Sequence, residues 1–271
     1  MQKRRVIGHS TNLLGRPSEW VASCAFNDNP VPLQIWGVVE MNRSLFDMLA
    51  QAQDLREAGD AFTCYMMAMF GIDPEQCVTA RPGGGRRRYR SSFLRLIKGW
   101  GFDSNGPEGA VLKGWVESRF GICPTFHKAV IDHTSCRAWA AYIEEKMSSR
   151  FHNNAIYAQL DLLFEFCQWA IQRFAYPRQT HLTLFRGINA FDEHWIVERS
   201  GKRTAVIRLN NLISFSSDRS VACCFGDAIL TARVPVCKIL FFNGLLSSDP
   251  LQGEGEYLAV GGEYRVTAEY V

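Results

Sequence analysis

The spacing of the apolar residues changes at Pro177, and this change divides the chain into two kinds of structure. From Ser44 to about Phe174, apolar side chains recur at helical intervals. After Pro177 short segments rich in β-branched and aromatic residues follow one another: THLTLFRGI, RTAVIRLN, LISFS, AILTARVP, CKILFFNG, EYLAV and EYRVTAEYV. These read as strands. Only DRSVACCF and AFDEHWIVERS between them read as helical, so strands do not alternate with crossover helices as a doubly wound parallel sheet requires. The fold class is therefore α+β.

Within the helical part, Ser44 and Asp47 resemble a capping box at the head of SLFDMLAQAQDLREA, and Gly71 and Pro74 close that region. RRRYRSSFLRLIKGW and GAVLKGWVESRF are two further helices, each ended by glycine. The long stretch from Thr134 to Phe174 is expected to break near His152 to Asn154, where helix propensity drops. The organisation is read as residues 1–133, mainly helical and suited to partner recognition, followed by a catalytic region over 134–271. No charged or low-complexity linker separates the two, which leaves a shared core open.

Composition narrows the class. With 271 residues, 47% of them hydrophobic, the chain can bury one large core or two modest ones. Its apolar runs, such as AWAAYI and KILFFNGLL, fall well short of the roughly 20 residues a membrane span needs. The first residues, MQKRRVIGHSTNLLG, have no apolar run behind their basic group, so no secretory signal is expected and the compartment is read as cytoplasmic. A net charge of +3 is too small to point to nucleic acid. The nine cysteines have no regular spacing; Cys64, Cys136, Cys167, Cys223 and Cys224 lie in apolar segments and read as reduced, structural thiols. No metal site is implied.

Three polar signals interrupt the apolar strands. Arg186 follows the strand THLTLF and precedes Gly187, whose bare backbone admits close approach of a ligand; a guanidinium fork suits phosphate, and an arginine at a strand end also reaches solvent. Ser214 and Ser216 in SFS share one face of a strand before a helix that opens near Asp218, where serines also serve as ordinary caps. Glu254 and Glu256 flank Gly255. In an extended chain both carboxylates project the same way, roughly 7 Å apart, whereas in a hairpin turn they are merely solvated.

Arg186-Gly187, then SFSSDRSVA, then E-G-E followed by YLAVGGEYRV resembles the arginine-specific mono-ADP-ribosyltransferases, a family marked by Arg, Ser-x-Ser and Glu-x-Glu in this chain order. Phe215 stands where that family usually has threonine, and Val260 where it commonly has proline. GHSTNLLGRPSEWVASCAFNDNP and RPGGGRRRYRSSFLRLIKGWGF are similar to the bacterial branch that acts on dinitrogenase reductase, the iron protein of nitrogenase. The resemblance implies a split β-sandwich in the C-terminal part, NAD as substrate, and dinitrogenase reductase as partner, with a PII-type signalling protein as a further one.

It also assigns roles. Glu256 stabilises the oxocarbenium-like ribose as nicotinamide leaves, as in glycoside cleavage. Ser214 holds Glu256 and contacts the nicotinamide side, and Ser216 beside it also belongs to the NAD-binding set. Arg186 grips the pyrophosphate or the adjacent ribose, Gly187 pairs with the carboxamide, and Phe225 stacks on a ring of NAD or packs in the core. Glu254 prepares the acceptor guanidinium, whose pKa above about 12 makes it a poor nucleophile. Two other readings are an NAD glycohydrolase and a regulatory module that binds without reacting. The basic stretch Arg81 to Arg90 reads as a solvated loop and helix start, or as a dock for an acidic patch on the partner.

Overall fold

In the computed structural model the described residues are 8–72, 90–148, 150–247, 251 and 255–270. Four short helices come first: α1 (Ser18–Val21), α2 (Cys24–Asp28), α3 (Val38–Met41) and α4 (Arg43–Leu49). Longer ones follow: α5 (Leu55–Phe70), α6 (Phe93–Phe102) and α7 (Pro107–Phe120), then a small hairpin of β1 (Phe126–His127) and β2 (Ala129–Val130). Helices α8 (Arg137–Lys146) and α9 (Ile156–Ala170) leave a break around 147–155, and a π-helical turn carries α9 on to Ala175, just before Pro177.

The remaining elements are β3 (His181–Ile188), β4 (Ile196–Arg199), β5 (Thr204–Arg208), β6 (Leu212–Ser216), α10 (Arg219–Cys223), β7 (Ala228–Pro235), β8 (Ile239–Phe242), β9 (Glu256–Val260) and β10 (Glu263–Tyr270). The eight strands from β3 onward form one sheet, in the order β4-β5-β10-β7-β3-β6-β9-β8, and every pairing is antiparallel. Strand β3 pairs with β7 over its whole length but with β6 only through Phe185 and Ser216. No ladder continues from that pair between Arg186–Ile188 and Leu212–Phe215. The sheet is thus joined at one point in its middle and parted beside it.

Helix α9 ties the two parts of the chain together. Nearly all its side chains are buried, as expected of a helix that is apolar on every face. Its few polar groups are each spent on a neighbour. Gln159 accepts from the Phe93 amide at 3.0 Å, and Asp161 accepts from Trp115 Nε1 at 2.7 Å and from Arg119 Nη2 at 2.8 Å. Gln168 Nε2 donates to the Ile239 carbonyl at 2.8 Å. One continuous core runs from Leu14, Phe62 and Trp115 through Leu163 to Leu184, Leu258 and Val266. Among the described residues no helix is long and apolar enough to cross a membrane.

Glu165, also on α9, accepts from the Ile35 amide at 2.6 Å, and burial pushes its carboxyl up to about 7, with the charges of Glu40 and Asp161 adding to the rise. A raised folded-state pKa contributes stability below the unfolded value, and that contribution disappears as pH rises through about 7. Glu165→Gln keeps an acceptor for Ile35 and removes the titration. Its melting temperature should match that of the wild type at pH 4.5 and exceed it above pH 7, by roughly 2–4 °C for each kcal/mol relieved; thermal denaturation across that range checks it.

Several local expectations are corrected. Ser44 lies inside α4, whose N-cap is Asn42; a box-like cap is ten residues on, where Asp54 accepts from the Glu57 amide at 2.8 Å and Glu57 reaches back past the cap to accept from the Gln53 amide at 2.7 Å. Gly71 does end α5 in a left-handed conformation, whereas α6 runs through Gly99 and Gly101 to Phe102. The segment 190–200 is not helical beyond a short turn at Phe191–Glu193. Its β-branched pair Ile196-Val197 instead opens an edge strand on β5. All eight cysteines among the described residues are free, but Cys64 and Cys224 are exposed rather than packed, and Cys136 Sγ caps α8. Pro74, Glu254 and all of the basic stretch except Arg90 lie outside the described residues.

Candidate active site

Strands β6 and β9 pair with Ser214 opposite Leu258 and Ser216 opposite Glu256. Alternation along a strand puts Ser214, Ser216 and Glu256 on one face, and the diagonal from Ser214 to Glu256 is within side-chain reach. The Ser214 hydroxyl donates to Glu256 Oε1, and Glu256 is only 7% exposed. Phe215, on the opposite face, is buried against Tyr264 with ring centroids 5.8 Å apart; a core position accounts for an aromatic where threonine is usual.

Arg186 crosses the gap where β3 and β6 part. Its Nη1 donates to the Ser214 carbonyl at 2.6 Å, a side-chain bond in place of the missing ladder. Burial pulls the guanidinium below its ordinary pKa, and the charge of Glu256 opposes that shift. Arg186, Ser214 and Glu256 therefore form one cluster, brought together from β3, β6 and β9.

The other predicted residues divide. Ser216 Oγ accepts from the Asp218 amide at 3.0 Å, so it holds the turn into α10, and Asp218 in turn caps that helix through the Ser220 amide at 2.7 Å. A Cβ at Gly187 would stand 2.1 Å from the Ala222 carbonyl and 3.0 Å from Phe225 Cβ. Glycine is required there because the end of α10 closes onto β3. Phe225 is 56% exposed on the cleft wall, which removes the core-packing alternative.

The extended-chain argument for the two glutamates does not hold at Gly255. This residue precedes β9 with φ +54°, a left-handed conformation in which alternation of faces no longer applies. Its carbonyl accepts from the Ser217 amide at 3.0 Å, which anchors the entry to β9 on the serine strand.

Two clefts meet at this cluster. One, of about 380 Å³, runs past Gly187 and Phe225 to Glu256; the other, of about 480 Å³, reaches His194 and Trp195. Both are lined by Trp100, Ser104, Arg186 and Ser214, so Arg186 stands at their junction. Trp100, at 4% exposure, was not legible as a site residue: its Nε1 donates to Ser214 Oγ at 2.7 Å from the helical part of the chain. Only packing brings it there.

The arginine, the serine and the buried glutamate that converge from neighbouring strands, at a cleft where the sheet parts, are the residue types that follow one another in this chain order in the arginine-specific mono-ADP-ribosyltransferases. The narrower assignment comes from comparison of the whole chain. Residues 11–268 match the family model of dinitrogenase reductase ADP-ribosyltransferase (DRAT), and the chain belongs to that family. It is 61% identical over 272 residues to the NAD(+)--dinitrogen-reductase ADP-D-ribosyltransferase of Rhodospirillum rubrum, covering 100% of this chain and 98% of that protein. No solved structure matches the chain.

Proposed function

We propose that this protein transfers ADP-ribose from NAD to an arginine of dinitrogenase reductase in the cytoplasm, and so inactivates nitrogenase. The observation that carries the reading is the Ser214–Glu256 pair held beside Arg186 in the cleft. In this reading the gap between β3 and β6 is the split of an ADP-ribosyltransferase β-sandwich, and the substrate lies across it. Arg186, at the junction of the two clefts, holds the pyrophosphate through its planar fork. The nicotinamide riboside then occupies the cleft leading to Glu256, near Gly187 and Phe225, and adenosine the cleft toward Trp195.

The bond between ribose C1′ and the nicotinamide nitrogen breaks and nicotinamide leaves with the bonding pair. Glu256 faces the positive charge that grows on the sugar, a charge present in the transition state and not in the ground state. A guanidinium nitrogen of the acceptor then bonds to C1′ and gives up a proton, the step assigned to Glu254. Residues 134–271 carry these acidic and basic groups, and residues 1–133 present the surface for the acceptor protein. A PII-type signalling protein is a second partner on this reading.

Incubation with labelled NAD and purified dinitrogenase reductase, followed by mass-spectrometric mapping, tests the proposal. Label on an arginine of the acceptor is the expected result. Free ADP-ribose alone would make the protein a glycohydrolase, and no consumption of NAD would leave it a binding module.

A further inference from the structure

We propose that Trp100 is a positioning residue of the transfer reaction: its indole N–H fixes the direction of the Ser214 hydroxyl proton and, through it, the placement of the Glu256 carboxylate. The inference rests on the reading of this cleft as the NAD-cleaving site.

The argument is one of donors and acceptors. An indole nitrogen is a donor only, a carboxylate an acceptor only, and a serine hydroxyl has one proton and two lone pairs. Trp100 Nε1 lies 2.7 Å from Ser214 Oγ, and Ser214 Oγ lies in hydrogen-bond contact with Glu256 Oε1. The only consistent polarity runs from N–H to hydroxyl to carboxylate. With one lone pair taken by Trp100, the serine proton points at Glu256. Without that neighbour the hydroxyl is less restrained in rotation about its Cβ–Oγ bond, and the carboxylate loses its fixed hydrogen bond for part of the time.

The placement of the indole is itself built in. Helix α6 is capped by Ser92, which accepts from the Arg95 amide at 3.3 Å, and is anchored on α9 by the Phe93 amide bond to Gln159. Phe93, Leu96, Ile97 and Trp100 form its buried face, so Trp100 lies at the end of an apolar stripe and is the member of it that reaches the sheet. The catalytic strands are thereby completed by a side chain from the helical part of the chain.

Trp100→Phe keeps an aromatic ring and removes the donor. Steady-state NAD cleavage should show kcat reduced about 5- to 10-fold, the scale of one net hydrogen bond. KM for NAD should stay within about twofold of the wild type, since uniform binding is unaffected. A carboxylate that loses a directed hydrogen bond titrates at higher pH, so the acid limb of kcat/KM should move upward. Ser214→Ala provides the control. If Trp100 acts through the serine, Trp100→Phe should cost nothing further once Ser214 is alanine. A loss by the same factor in both backgrounds would mark Trp100 as merely structural and overturn the proposal, as would a Trp100→Phe enzyme with unchanged kcat and an unchanged acid limb. Wild-type protein that cleaves no NAD would remove the functional reading, and this inference with it.

Discussion

Glu256→Gln should reduce NAD cleavage and arginine transfer together, by about 10²- to 10³-fold in kcat, the range observed when a single preorganised electrostatic group is removed from a reaction centre. Glutamine matches the glutamate in size and still offers an oxygen to the Ser214 hydroxyl, so the pairing of β6 with β9 and the Trp100–Ser214 bond should survive. What disappears is negative charge next to the ribose carbon at the moment that carbon becomes positive. Arg186 also loses the carboxylate that opposes the effect of its burial. KM for NAD should therefore move much less than kcat, because the cleft and the fork of Arg186 are kept. Parallel assays of free nicotinamide and of labelled acceptor decide the matter: nicotinamide release at the wild-type rate would show that Glu256 is not the group that cleaves NAD.

The sequence carried these residues well because strands announce themselves by composition and alternation, and Arg186, Ser214 and Glu256 all belong to strands. Each of the seven strand segments read after Pro177 is a strand of the sheet. Edge strand β4 is hidden inside AFDEHWIVERS because it is only four residues long, three of them in register with β5, and charged residues surround it. The position of the helix cap is ambiguous for a related reason. Ser-x-x-Asp and Asp-x-x-Glu both fit the pattern, and tertiary packing chose the second, at Asp54.

Other features depend on groups far apart in the chain. The gap between β3 and β6 is a matter of pairing, invisible in either strand alone. Trp100 is one apolar residue of an amphipathic helix until the fold brings its N–H to Ser214, 114 positions away. The left-handed turn at Gly255 was open to prediction, since glycine is the residue that tolerates it. The assumption of an extended chain through both glutamates concealed it. That turn bears on the division of chemistry proposed for the two acids. Glu256 begins β9 with its carboxylate buried and bound to the serine strand, whereas Glu254 lies outside the described residues.

Glu254→Gln should therefore separate two activities that Glu256→Gln removes together. Attack by arginine requires an acceptor guanidinium that is oriented and relieved of a proton, and an unperturbed guanidinium with a pKa above about 12 gives up almost none at neutral pH. A carboxylate near the acceptor meets that need, whereas water, already a neutral nucleophile, needs less help against an oxocarbenium-like centre. Arginine transfer should fall by about 10²- to 10⁴-fold, the contribution typical of a positioned general base. NAD hydrolysis should stay within roughly tenfold of the wild-type rate, because Arg186, Ser214 and Glu256 are untouched and their loss alone would carry the 10²- to 10³-fold penalty expected of the cleavage step. Nicotinamide release and acceptor labelling, followed in one reaction mixture, give the ratio directly. A variant in which both fell by the same factor would place Glu254 with Glu256 in the cleavage step. One in which neither fell would show that the acceptor protein brings its own base to the site.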